Sequence, residues 1–153
     1  MKSDEKNTFK TKLIELCKAQ HLKTIENLRS AMEECQQMAN DYGPPKDRYD
    51  AFRSQMLRKR DLYAQQMQKA NHELVLLTTL KPGELKDKVE FGAVVVCDKA
   101  TYFVSISMGL VKCEGQDVLC ISPAVPVYKA LAGLKAGNTT HFNNNPISIQ
   151  DVY

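Results

Sequence analysis

Residues 4–40 and 47–79 repeat their apolar positions with the period of a helix, and the residues beyond 88 repeat theirs with a period of two. In the first stretch Ile25, Leu28, Met32, Cys35 and Ala39 recur at alternating steps of three and four, the seam of a coiled coil. Towards its start the apolar face broadens through Phe9, Leu13, Ile14, Leu16 and Leu22, and Ser3 or Asp4 is suited to cap it. In the second stretch Tyr49, Phe52, Met56, Tyr63, Ala70, Leu74 and Leu77 hold a seven-residue register, with Lys59 and Gln66 as polar interruptions. Gly43, Pro44 and Pro45 lie between the two stretches and stop both helices. So short a connection implies antiparallel arms. At 1.5 Å per residue each arm spans roughly 50 Å.

After Leu80 the pattern changes. KPGELKDK, residues 81–88, is a polar connector broken by Pro-Gly. KVEFGAVVVCD (88–98) predicts a strand that turns at CDKAT. Tyr102, Val104, Ile106 and Met108 then alternate with Phe103, Ser105, Ser107 and Gly109, a second strand with one apolar face. DVLCIS and PISIQDVY supply a third and a fourth. PVYKALAGL (126–134) reads as a short helix opened by Pro126 and ended by Gly133. The expectation is an α+β protein: a helical hairpin at 1–80, a linker at 81–88, and a small antiparallel sheet with one helix at 89–153.

Composition narrows the function classes only a little. The 153 residues are 43% hydrophobic and carry a formal charge of +3, too small an excess to mark a nucleic-acid binder. No apolar run is long enough for a membrane span, and MKSDEKNTFKTK has no signal-peptide core, so a cytoplasmic protein without membrane contact is expected. Cys17, Cys35, Cys97, Cys113 and Cys120 are odd in number and contain no CxxC, which points to buried thiols rather than a disulfide framework. Cys17 and His21 share one helix face, but no second Cys/His pair follows to complete a metal site. Arg58, Lys59 and Arg60 fan around a helix at about 100° per residue instead of forming a stripe, the pattern of a solvated surface. No P-loop, GxSxG or HExxH motif occurs.

Residues 121–138, ISPAVPVYKALAGLKAGN, resemble a segment of the bacterial Gre transcript-cleavage factors (GreA and GreB). There Ser-Pro leads into a short Ala-Leu-x-Gly helix and a Gly-Asp/Asn turn. Ser122, Pro123, Ala130, Leu131, Gly133, Gly137 and Asn138 take those places, with about two additional residues between Pro123 and Tyr128. VEFGAVVVCD, with its Phe91-Gly92 pair, is similar to a strand of the same family. The resemblance implies a C-terminal domain of FKBP-like fold that docks on RNA polymerase, with residues 122–138 as the docking segment. It also implies a coiled coil that enters the secondary channel and meets nascent RNA and DNA only indirectly. In that family acids at the coiled-coil tip help the polymerase hold a second Mg²⁺ for RNA hydrolysis, as hard oxygen ligands suit Mg²⁺. The protein has no cofactor or catalytic residue of its own on this reading, and it acts as a monomer.

Asp41, Asp47 and Asp50 are the tip acids here. The family's loop runs approximately Gly-Asp-Leu-Lys-Glu-Asn, against GPPKDR in this chain. Gly43 and Lys46 match, Asp47 stands at the Glu place as the candidate Mg²⁺ ligand, and Pro44 replaces the Asp. Binding to polymerase with weak or absent cleavage stimulation is therefore expected. The residues alone leave other readings open: acids that merely cap and solvate a turn, a coiled-coil adaptor for another helical protein, or a prolyl isomerase of FKBP type.

Overall fold

The computed structural model describes residues 2–41 and 47–153, and of residues 47–50 the backbone alone. The fold is α+β. Two long helices, α1 (Ser3–Asp41) and α2 (Asp47–Thr78), precede a six-stranded, mostly antiparallel sheet and one short helix. The strands are β1 (Val94–Cys97), β2 (Thr101–Val104), β3 (Gly109–Cys113), β4 (Gln116–Ile121), β5 (Thr139–Phe142) and β6 (Asn145–Val152), and α3 (Pro126–Leu131) lies between β4 and β5 in sequence. Their order across the sheet is β3-β4-β2-β1-β6-β5, with β2 and β4 parallel and all other pairs antiparallel.

The chain forms two compact units. One comprises residues 1–18 with 76–153, and the other comprises Ala19–Val75. The heptad pattern suggested a boundary near residue 80, but the first turns of α1 are part of the sheet's core. Phe9, Leu13, Ile14 and Cys17 are buried with Leu77, Leu80, Val94, Phe103, Val118 and Cys120 on one sheet face. The broad apolar face seen there in the sequence is the face a helix needs to cover a sheet rather than a single partner helix. The opposite face is closed by Val89, Ala93 and Leu131 over Val95, Val104, Ile121 and Ile149.

Burial on both faces explains why the expected second strand differs from the observed one. Phe103 and Val104 are successive and both 0% exposed, so β2 has no solvated face, and it ends at Val104 rather than continuing through Met108. The residues after it form β3, which together with β5 adds two strands to the four expected. Two-residue turns create both additional hairpins. Glu114 and Gly115 (φ 50° and 79°) join β3 to β4, and Asn143 and Asn144 (φ 50° and 64°) join β5 to β6. Positive φ at both central positions gives a turn whose twist matches that of the strands.

The start of α1 also differs from expectation. Neither Ser3 nor Asp4 caps it. Lys6 N–H donates to the Lys2 carbonyl, and the Lys2 N–H makes a long 3.4 Å bond to the Glu5 carboxylate, half of a capping box. Asp4 and Glu5 lie in the first turn, where the helix dipole favours acids.

Within Ala19–Val75 the two helices run antiparallel, with His21 opposite Ala70 and Gln36 opposite Arg60. Ile25, Cys35, Ala39, Met56 and Ala70 are buried between them. The second seam position on α2 is not the expected Lys59 and Gln66, which are exposed. Arg60 and Met67, one residue on, are half-buried instead. Packing thus selects the step of four after Met56 and Tyr63 rather than the step of three that leads to Lys59 and Gln66.

Leu13→Ala is expected to lower unfolding stability by about 3 kcal/mol, because the residue is 0% exposed and the sheet below it cannot collapse into the gap. Leu22→Ala, at a position 53% exposed, should change stability by less than about 0.5 kcal/mol. Urea unfolding of the two variants measures both.

Candidate functional site

The Ser122–Asn138 segment is built by the sheet. Ser122 begins with a local turn, its Oγ accepting the Ala124 N–H at 3.3 Å and its carbonyl the Val125 N–H at 3.2 Å. Pro126 then occupies the first turn of α3, where its missing N–H is not needed. The helix has six residues, fewer than the nine-residue stretch that read as helical, because Ala132 leaves the helical conformation. Gly133 follows at φ 76°, donating to Val89 O, and Leu134 O accepts from Val89 N–H, both at 2.8 Å. Gly137, at φ 90°, donates to Ile149 O at 2.8 Å, while the Asn138 side-chain oxygen accepts the Lys135 N–H at 2.8 Å.

These bonds separate the residues of the segment by role. Leu131 is 0% exposed and anchors α3 in the core. Gly133 and Gly137 hold left-handed turns that a side chain would strain. Ser122 and Ala130 are half-buried, and Pro123, Gly133, Gly137 and Asn138 are exposed beside Lys129 and Lys135. The exposed surface of the segment is composed of those residues.

Of the tip acids, Asp41 is exposed at the last position of α1 and accepts the Gln37 side-chain amide at 2.8 Å. The last turn of α1 contains no basic residue. A carboxylate at this helix end opposes the dipole, so capping does not account for Asp41. Asp47 is the first residue of α2, where an acid is favoured. The side chains of Asp47 and Asp50, and Gly43, Pro44 and Lys46 altogether, lie outside the described residues.

All five cysteines are buried. The Cys17 and Cys120 sulfurs approach to 3.7 Å, bridging α1 and β4. Their hydrogen bond, together with burial, pushes the Cys120 thiol far up, and the same bond draws Cys17 down. His21 is engaged separately, its Nε2–H donating to Ala70 O at 2.7 Å within the helical seam. The sequence pair Cys17/His21 therefore does not converge. Among the described residues no group of three His, Cys, Asp or Glu is placed to hold a metal ion. Of the basic trio, Arg58 and Lys59 are exposed, while Arg60 turns inward to Gln36 Oε1 and also binds Asp61.

Sequence patterning missed Lys10. It sits among Phe9, Leu13 and Ile14 on the apolar face of α1 and is 2% exposed. Its ammonium donates to the Glu84 carbonyl at 2.8 Å, so the expected linker is tied to the helix. The signal available was a lysine inside an apolar stripe, where a long side chain more often extends its tip to water.

No family model, curated protein or solved structure matches this chain.

Burial, then the neighbouring Lys86, lower the Lys10 pKa from 10.5 to about 8, against support from Glu84 and Glu90. The folded value lies below the unfolded one, so the unfolded chain binds more protons between these two values. The unfavourable contribution of the buried charge is complete below about pH 8 and is relieved as pH rises towards 10.5. The stability of the wild type relative to Lys10→Met should rise by about 3 kcal/mol from pH 7 to 10.5, as the shift implies. Urea unfolding across that range gives the comparison. Cys97 and Tyr153, raised to about 11 and 12 by burial, lower stability at high pH in both proteins and cancel in the difference.

Proposed function

We propose that this chain is a Gre-like regulator of RNA polymerase that acts in the cytoplasm without an active site of its own. The observation that carries the reading is the pairing of parts in one chain. A self-contained antiparallel helical unit, Ala19–Val75, accompanies an α+β unit whose exposed Ser122–Asn138 surface resembles the family's docking segment. The acids at the ends of α1 and α2 that face the inter-helix connection add support, since Asp41 has no capping role there.

On this reading the FKBP-like unit docks at the rim of the secondary channel and the helical unit enters it. Asp47, with Asp41 or Asp50, presents carboxylate oxygens suited to an Mg²⁺ shared with the polymerase. Pro44 removes one of the two acids that the family's cleavage loop carries, so occupancy of the channel is retained while cleavage stimulation is weak or absent. Competition with cleavage-competent factors, or obstruction of nucleotide entry, is then its regulatory effect.

A second reading is a coiled-coil adaptor. It draws on Leu22, Met38 and Leu62, which are 53%, 49% and 53% exposed in the helical unit and present apolar area to a further helix.

The immobilised full chain should retain core polymerase from the native lysate. Backtracked elongation complexes incubated with it should show little cleavage and should lose their response to a competent Gre factor. Pro44→Asp should restore part of the cleavage. Strong cleavage by the wild type that vanishes in Asp47→Ala would show the tip to be fully competent. Retention of another helical protein with no polymerase subunits would favour the adaptor.

A further inference from the structure

We propose that the cavity beside Lys10 binds a small tetrahedral oxyanion of the phosphate class. The cavity measures about 160 Å³ and lies within one compact unit, between α1, the end of α2 and the connector leading to β1. At about 30 Å³ of liquid volume per water, it has room for about five waters or one such anion with its hydration.

Three properties of its wall favour an anion. Lys10 is buried and lines the cavity, and its amine has a single hydrogen-bond partner, the carbonyl of Glu84, another lining residue. No carboxylate lies within ion-pair distance of it among the described residues, so two of its three donor directions remain unused and Glu84 and Glu90 offset its charge only from a distance. Lys81 and Lys86 line the same space with Glu84 as the one acid, leaving an excess of positive charge. Lys86 is only loosely held, 3.5 Å from both Glu84 and Glu90.

The shape of the wall points the same way. Gly92, at φ 93°, forms one side, and a Cβ there would stand 3.2 Å from Leu80 and 3.6 Å from Lys86. The Phe91-Gly92 pair thus keeps the cavity open where a side chain would encroach. All three cationic linings are lysines. An ammonium is a compact point charge with rotatable donors, which suits a tetrahedral anion, whereas a planar carboxylate is better matched by the fork of an arginine. This inference does not rest on the polymerase reading.

The test is a titration of the full chain at pH 7 with inorganic phosphate, with a nucleoside triphosphate, and with chloride at matched ionic strength. Calorimetry and the thermal midpoint give the readouts. Saturable phosphate binding that raises the midpoint beyond the chloride control is expected. It should weaken about tenfold in Lys10→Met, the loss of one charge-assisted donor, and remain unchanged in Lys112→Met, an exposed lysine on β3. Should Lys10→Met fail to fold, Lys86→Met takes its place with the same expected direction. Lys10-dependent binding of both phosphate compounds with equal affinity assigns the site to the free ion. Tighter Lys10-dependent binding of the triphosphate assigns it to a phosphate carried by a larger molecule. Midpoint shifts equal to those of chloride, or binding that survives Lys10→Met, would overturn the proposal.

Discussion

Burial of the first turns of α1 against the sheet is the interaction on which the rest of the larger unit depends. Phe9, Leu13, Ile14 and Cys17 lie over Val94, Phe103, Val118 and Cys120. At roughly 1.5–3 kcal/mol for each large apolar side chain removed from water, this contact is comparable to the whole net stability of a domain. Without it one face of β1, β2 and β4 would be left to solvent, and those strands are too apolar for that. The same contact brings Lys10 and Cys17 into the interior, since both lie on the helix face that must point inward.

The α+β class was legible because it rests on long-range periodicity. The helical seam, and helices ending at Asp41 and opening at Asp47, need only local sequence. Strand number was less accessible. VVVC and TYFV are buried on both faces, and alternation carries no information for a strand without a solvated side. Glu114-Gly115 and Asn143-Asn144 were readable as hairpin turns, but the flanking strands β3 and β5 are short and largely exposed and gave little signal. In the candidate site, Leu131, Gly133 and Gly137 have structural reasons for their identity. Residue identity in this segment is therefore set partly by the geometry of the sheet, and Pro123, Asn138 and the neighbouring lysines are its exposed part.

Polar side chains at apolar positions recur in both units, and His21, Arg60 and Lys10 each have a backbone or amide partner, whereas the buried Ser105 hydroxyl has none among the described residues. His21 donates to a carbonyl of α2, Arg60 to the Gln36 amide oxygen, and Lys10 to the carbonyl of Glu84. In the helical seam such bonds fix which residue faces which, because sliding either helix by one turn would leave a buried donor without its acceptor. Lys10 differs in retaining a full charge with only one neutral acceptor. Fixing the connector geometry requires one hydrogen bond, and a neutral donor would supply it without the desolvation of an ammonium.

The discontinuous larger unit also bears on how quickly the chain reaches its final state. Residues 1–18 contact partners that lie beyond residue 76, so the ends of that unit must meet across the whole of Ala19–Val75. Closing so long a loop from a random coil is slow, as ordering precedes the contacts that reward it. Helix formation within 19–75 is local and fast, and two paired helices draw the ends of that segment together beforehand. The seam residues Ile25, Met56 and Ala70 would then govern the rate at which the sheet is assembled.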